Sequence, residues 1–190
     1  QVEENYLNIL RAVKKEVKIP VALKLGPYFS AFASMAKRCD DVGADALVLF
    51  NRFYQPDLDL DSMEVSQTLS LSRSRDALIT MRWIALLHGH VNMSLAATGG
   101  VHTVKDALKM LLCGADVTHL CSALLTNGPG QIERLHDGVL AWMQQEGYES
   151  LRQLKGSLSQ KNSPDPVAFE RGNYLQMLSR YEPPKSVWPD

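Results

Sequence analysis

The stretch Ala96-Ala97-Thr98-Gly99-Gly100-Val101-His102-Thr103-Val104-Lys105-Asp106-Ala107 runs from an apolar strand through two glycines into a capped helix, an order that restricts the chain to a fold of strand-turn-helix units. Residues 93–97 are short and mostly apolar, as a buried parallel strand requires. Thr103 followed by Asp106 is a capping-box-like start for a helix running to about Cys113. Without side chains, Gly99 and Gly100 let the backbone approach a ligand closely. Their N–H groups, with the positive end of the following helix, favour an anion. A Gly-Gly before a helix also occurs as a plain tight turn that binds nothing, so the pair alone leaves both readings open.

A second unit of the same kind follows. Gly114-Ala115-Asp116 closes the helix, residues 117–122 read as another short buried strand, and Asn127-Gly128-Pro129 opens a further helix with a cap and a proline. Two units precede: a strand at 21–25 with a helix at 30–42, and a strand at 46–50 with a helix at 74–87. In a β/α barrel the loops after the last two strands commonly hold a phosphate. A complete eight-stranded barrel takes about 250 residues, whereas this chain has 190, with 45% hydrophobic and 22% charged residues. That suffices for one sizeable core. The expected fold is therefore α/β, half (about four β/α units) of a TIM-type (β/α)8 barrel. Because a half-barrel leaves sheet edges and one barrel face uncovered, the expectation is a missing N-terminal half, with self-association as the other route to completion.

Charge and cysteine usage narrow the partners. The net charge is −1 and no run of Lys or Arg with interleaved aromatics occurs, so neither a nucleic-acid footprint nor an anionic-membrane patch is visible, and the expected partner is a small molecule. Cys39, Cys113 and Cys121 lack C-x-x-C spacing, which points to reduced thiols in a reducing compartment. No signal peptide or apolar run of membrane-spanning length is present, and the cytoplasm is the expected location.

Elsewhere, residues 6–17 read as a helix with Tyr6, Ile9, Leu10, Val13 and Val17 on its apolar face, ended by Pro20. Ser30 is a candidate cap for the next helix, whose stripe is Phe32, Met35, Ala36, Cys39 and Val42, with Gly43 as the terminating turn. Residues 51–74 form an excursion too long for an ordinary connection and read as a functional loop or lid at a strand end. Its Asp57, Asp59 and Asp61 lack the glycine and distal glutamate of a calcium loop, and His88-Gly89-His90 reads as a helix end rather than a metal site. After residue 156 the reading is a polar linker, 157–166, then a peripheral helix through 190, with Phe169, Leu175 and Leu178 available to pack it back.

Lys24 interrupts an otherwise apolar strand near its carboxyl end, and an ammonium buried there needs an anionic partner; the alternative is a lysine snorkelling from an edge strand to water. Asn51 ends the next strand in the same way. Lysine, amide and anion turn would then converge on one rim.

Residues 20–29, the Thr98-Gly99-Gly100 turn, Leu111-Leu112-Cys113-Gly114-Ala115, Ser122-Ala123-Leu124 and Gly147-Tyr148-Glu149-Ser150-Leu151 resemble the C-terminal half of class 1 dihydroorotate dehydrogenases, over about residues 1–156. Leu49-Phe50-Asn51-Arg52-Phe53-Tyr54-Gln55-Pro56 and Phe169-Glu170-Arg171 are similar to the branch called dihydroorotate dehydrogenase-like proteins. The resemblance implies a barrel binding FMN at its carboxyl rim. Lys24 would lie against the isoalloxazine ring, Asn51 would hydrogen-bond flavin or a planar substrate, and the turns of Thr98, Gly99 and Gly100 and of Cys121 and Ser122 would hold the phosphate. Dihydroorotate would pass a hydride to the flavin and yield orotate, with fumarate or another acceptor reoxidising it. It also suggests a homodimer.

Two features depart from that pattern: Cys121 stands where the family has glycine, and Leu69-Ser70-Leu71-Ser72-Arg73-Ser74 replaces a glycine-rich loop. The loop carrying the catalytic base belongs to the family's N-terminal half, so no residue here is assigned that role. Two other readings stay open: a flavin- or phosphate-binding barrel of the same superfamily with another substrate, and a non-catalytic half-barrel acting as an assembly module.

Overall fold

In the computed structural model, which describes residues 1–53, 55–66, 69–170 and 174–180, the chain runs α1 (Val2–Glu16), β1 (Ala22–Leu25), α2 (Phe32–Val42), β2 (Ala46–Leu49), β3 (Asp57–Asp59), β4 (Glu64–Ser66), α3 (Ala77–Leu87), β5 (Ser94–Thr98), α4 (Val104–Cys113), β6 (Val117–His119), α5 (Ser122–Asn127), α6 (Gln131–Gln145), α7 (Leu151–Leu154) and α8 (Tyr174–Ser179). Tyr54 and Arg171, which belong to the two branch-specific motifs, lie outside the described residues.

β1, β2, β5 and β6 pair in that order, all parallel, as four successive units of a partial TIM barrel. The register aligns Leu25 with Leu49 and Leu49 with Ala97. Side chains alternate along a strand, so Leu25, Leu47, Leu49, Leu95 and Ala97 stand on the helix-covered side, each at most 2% exposed. They share one cluster with Met35 and Cys39 of α2, Ile84 of α3 and Met110 of α4. Each such leucine contributes about 1.5–3 kcal/mol by leaving water. The opposite row carries Ala22, Lys24, Val48, Ala96 and Val117 toward the interior of the partial barrel.

The tripeptide Gly-Ala-Asp occurs twice and does the same work each time. Gly43 and Gly114 end α2 and α4 in the left-handed conformation, at φ 96° and 117°. The alanines that follow, Ala44 and Ala115, are buried. Asp45 then accepts the N–H of Val21 at 2.6 Å and pairs with Lys14 at 2.7 Å. Asp116 likewise accepts the N–H of Leu95 at 2.8 Å and pairs with Lys155 at 2.5 Å. Asp40 completes the set by accepting from the backbone of Asn92 and Met93 ahead of β5, at 3.1 and 3.0 Å. These carboxylates hold the strand entrances at the end of the sheet remote from the rim.

His88 packs against two glycines. A Cβ added at Gly114 or at Gly156 would run into its ring. Burial, followed by the nearby Lys155, holds its pKa below the ordinary histidine value. His88-Gly89-His90 is thus a packed helix end, and α4 docks beneath it.

Several elements differ from expectation. α1 buries Leu7 and Leu10, while Tyr6, Ile9 and Val13 are 41%, 63% and 39% exposed. Its periodicity merges two apolar stripes, of which only one meets α2. Ser30 does not cap α2, because the turn in which Phe29 N–H donates to the Pro27 carbonyl moves the cap position to Ala31. The 117–122 strand stops at His119, since Leu124 and Leu125 donate to the Cys121 carbonyl and start α5; Asn127-Gly128-Pro129 is the turn between α5 and α6. The 51–74 excursion contains an antiparallel hairpin of β3 and β4, and Asp59 accepts from Asp61 and Ser62 within its own turn.

The segment after residue 156 begins as a clamp rather than a linker. The N–H groups of Gly156, Leu158 and Gln160 donate to the carbonyls of Leu111, Leu112 and Ala85, satisfying late carbonyls of α4 and α3. Phe169 packs on the core and its carbonyl accepts from Arg82 at 3.0 Å. Leu175 and Leu178 remain 74% and 54% exposed, because α8 buries none of its residues.

Two outcomes follow. Leu47→Ala should cost about 2–5 kcal/mol in urea denaturation, whereas Leu60→Ala, on the exposed hairpin, should stay within about 0.5 kcal/mol. Because the folded state depresses the His88 pKa, the unfolded chain binds that proton first. The contribution is present above pH 6.5 and lost as pH falls below it, so the urea midpoint should drop more on acidification in the parent protein than in His88→Gln.

Candidate functional site

The carboxyl ends of the four parallel strands open onto a cavity of about 740 Å³, within the ~300–1,000 Å³ typical of small-molecule sites. β1 contributes Lys24 to it, and the chain after β2 contributes Asn51 and Arg52. Thr98, Gly99 and Gly100 enter from β5, and His119, Cys121 and Ser122 from β6 and the start of α5. All seven residues expected at the rim therefore line one space: Lys24, Asn51, Thr98, Gly99, Gly100, Cys121 and Ser122.

Lys24 is exposed, not buried. β1 is the edge strand of the described sheet, and the interior row to which Lys24 belongs opens into the cavity, so its ammonium stays hydrated. The argument for an anionic partner consequently rests on charge rather than on desolvation. Among the described residues no ion pair involves Lys24, Arg52 or Arg75, all of which line the cavity. One carboxylate, Asp76, stands against them, and it accepts the Arg73 N–H at 2.8 Å. The cavity is thus electropositive. Asn51 is held by its backbone N–H to the Leu25 carbonyl at 2.7 Å and by Nδ2 to the Lys24 carbonyl at 3.3 Å. Its Oδ1 is left to accept from a ligand.

The two glycines do different jobs. At Gly99 (φ 87°) nothing lies within 4 Å of where a Cβ would stand, so this backbone is open to a ligand. A Cβ at Gly100 (φ 77°) would run into the backbone of Ala77, so this glycine is required by the start of α3. The Gly100 N–H donates to Ser72 Oγ at 3.3 Å, and the Ser72 N–H donates to Ser122 Oγ at 3.1 Å. Ser72 Oγ also meets His102 Nε2 at 3.1 Å. The segment that replaces the glycine-rich loop therefore ties both turns together.

Asp106 anchors this arrangement. It accepts from the backbone and hydroxyl of Thr103, from the backbone of His102, and from Ser74 Oγ at 2.7 Å, joining α4 to the 72–76 segment. Burial pushes its pKa up, and those hydrogen bonds more than offset it, holding the carboxyl below its usual range. Thr80 donates from its hydroxyl to the Thr98 carbonyl at 3.4 Å, bracing the turn from α3.

The remaining wall is apolar, from Leu71, Leu78 and Ile79 with Phe50, and Tyr28 and Phe53 meet ring to ring 4.7 Å apart at its mouth. An apolar slot with a cationic flank and an anion turn suits a planar ring bearing an anionic tail. Cys39 and Cys113 do not line it. Burial raises both thiols, Cys113 to about 11.

Arg52, Ser72, Arg75 and His119 are cavity residues that pattern reading did not single out. For His119 a signal existed in strand alternation, since it pairs with Thr98 in register. Arg52 and Ser72 fall within the 51–74 excursion read as a functional loop, but no periodicity there aims an individual side chain, and Arg75 lies just beyond it.

A family model described as dihydroorotate dehydrogenase matches residues 1–143. The catalytic subunit of dihydroorotate dehydrogenase B (NAD+) from Methanothermobacter thermautotrophicus is 26% identical over 161 residues, 82% of this chain and 53% of that protein. The subunit of the same description from Enterococcus faecalis is 30% identical over 149 residues, 77% of this chain and 47% of that protein. The chain spans about half the length of the curated relatives it matches. Among solved structures, the dihydroorotate dehydrogenase of Eimeria tenella in complex with ferulenol aligns with a TM-score of 0.59 at 21% identity, covering 71% of this chain and 37% of that one, a likeness of fold.

Gly100→Ala should destabilise the protein by clashing with Ala77, beyond the ~1–2 kcal/mol of a left-handed alanine. Gly99→Ala should cost only that amount. Urea denaturation of the two variants side by side checks the division of labour.

Proposed function

Because the chain belongs to the dihydroorotate dehydrogenase family, we propose that it forms the FMN-binding part of an oxidoreductase that converts dihydroorotate to orotate in pyrimidine biosynthesis. The observation that carries this reading is the convergence of Lys24, Asn51 and the two anion turns on one cavity of about 740 Å³. The residues fit FMN: an apolar slot for the ring, an open backbone at Gly99 for the phosphate, and cations with no carboxylate partner among the described residues.

When bound, FMN supplies the hydride acceptor, which the side chains of this protein cannot. Lys24 would place a positive charge at the ring and favour negative charge there. The Asn51 Oδ1 would accept from an N–H of the ring or of a planar substrate, fixing its orientation. The N–H of Gly99 and the Cys121-Ser122 turn would donate to the phosphate. Leu71, Leu78 and Ile79 would shield the ring from water. The raised thiols of Cys39 and Cys113 lie away from the cavity, and neither is assigned as the base that removes the substrate proton.

Two observations favour a second reading, a flavin barrel of the same superfamily with another substrate. Ser72 occupies the Gly100 N–H, in the segment that departs from the family pattern, and Arg52, next to Asn51 in the chain, adds a cation to the cavity. In either case the free thiols accord with a reducing cytoplasm, and a homodimer is the assembly we propose.

Titrating FMN into the protein should quench flavin fluorescence saturably, and Lys24→Ala should weaken binding by about tenfold, the equivalent of one charge-assisted contact. Absence of saturable quenching would refute the flavin reading. A shift of the bound-flavin spectrum on adding orotate supports the first substrate, and its absence supports the second.

A further inference from the structure

Ser72 stands at the anion end of the cavity with partners from three segments. Its Oγ accepts the Gly100 N–H at 3.3 Å and meets His102 Nε2 at 3.1 Å, while its N–H donates to Ser122 Oγ at 3.1 Å. His102 is itself held in place: its N–H donates to Asp106 Oδ2 at 3.2 Å, and its carbonyl accepts from Gln131 Nε2 at 2.8 Å. The backbone that carries the ring is therefore held by α4 and α6, and the ring's own contact is with Ser72 Oγ.

A hydroxyl has one hydrogen and two lone pairs. The Gly100 N–H fills one lone pair, so the direction of the Ser72 hydrogen depends on what Nε2 does. An unprotonated Nε2 takes that hydrogen, and Ser72 then offers the cavity no donor. A protonated Nε2 donates to the second lone pair, and the Ser72 hydrogen becomes free to point at a ligand oxygen. The neutral ring has access to both arrangements through its two tautomers. The imidazolium has only the second, and it adds a positive charge behind the hydroxyl.

Resting on the flavin reading for the identity of the ligand, we propose that Ser72 and His102 form a phosphomonoester subsite whose affinity is raised by protonation of His102, acting through the Ser72 hydroxyl. Ser72 contacts the phosphate and His102 is a positioning residue. The titratable and charged groups on the elements around His102 are Lys105, Asp106 and Lys109 of α4, Arg73, Arg75 and Asp76 of the segment before α3, and Glu133, Arg134, His136 and Asp137 of α6. Against its burial, Asp106 has its carboxyl held below the usual range by hydrogen bonds from Ser74, Thr103 and the His102 backbone. His102 stands behind Ser72 and does not line the cavity, whose lining imidazole is His119.

The test compares FMN with riboflavin, which lacks the phosphate, at pH 5.5 and pH 8, in the parent protein, Ser72→Ala, His102→Gln and the double variant. At pH 5.5 the parent should bind FMN about tenfold more tightly than any of the three variants, the equivalent of one charge-assisted donor. At pH 8 the advantage should shrink to about twofold. Phosphate ionisation of the ligand is common to all four proteins and cancels in the comparison. Riboflavin should show no such difference, and the double variant should be no weaker than either single one, since both act through one hydroxyl. Equal losses at both pH values, a matching loss for riboflavin, or tighter FMN binding by Ser72→Ala would overturn the proposal.

Inorganic phosphate, followed through the His102 ring resonances, separates the two readings. Phosphate should raise the His102 titration midpoint in the parent and not in Ser72→Ala. If the ring does not respond to phosphate, the subsite is refuted whatever flavin does. If it responds while flavin fails to bind, the flavin reading falls and the subsite stands.

Discussion

The parallel register of β1, β2, β5 and β6 is the constraint on which the other features depend. It aligns Leu25, Leu49 and Ala97 on the side covered by helices, and the same alignment sends Lys24, Val48 and Ala96 inward. A slip of one residue would exchange the two sets, burying the ammonium and exposing the leucines. The core and the cavity are thus two faces of one alignment, and the burial that stabilises the fold also aims the lysine. Asp45, Asp116 and Asp40 reinforce it from the opposite end by holding backbone N–H groups at the strand entrances.

The rim shows how one short motif divides its labour. Gly99 leaves open backbone, whereas Gly100 exists so that Ala77 can approach. With Asp106 binding Thr103, His102 and Ser74 together, the helix cap, the anion turn and the start of the α3 segment form a single hydrogen-bonded block. Removing water from that block costs less than it would for isolated groups, because each donor there already has an acceptor. Lys24, Arg52 and Arg75 line the same cavity as Leu71, Leu78 and Ile79, so charge and apolar surface meet in one space.

Much of this was legible from the chain, and the failures are local. The helix of α4 was readable from Thr103, Asp106 and Gly114 because a capping box and a left-handed glycine act within a few residues. The Lys24 strand was readable from its apolar flanks, yet its exposure was not, since that depends on what covers the interior row. α5 was missed because its start rests on the Cys121 carbonyl, in a stretch whose composition fits a strand equally well. The apolar face of α1 was misassigned because two stripes overlap within one periodicity, and only packing against α2 selects Leu7 and Leu10.

By itself, then, the sequence determined the order of strand-turn-helix units, the capping box and left-handed end of α4, and the placing of Lys24, Asn51 and the two turns at the carboxyl ends of strands. Each of these follows from short-range rules of hydrogen bonding, alternation and backbone conformation. Only the tertiary structure decided that Gly100 serves Ala77 and that Ser72 bridges Gly100, His102 and Ser122. It likewise decided that residues 156–160 clamp α3 and α4, and that Arg52 and Arg75 face the same cavity. Those contacts join segments more than 20 residues apart, and no local pattern encodes them, because they come into being when the register of the sheet brings the segments together.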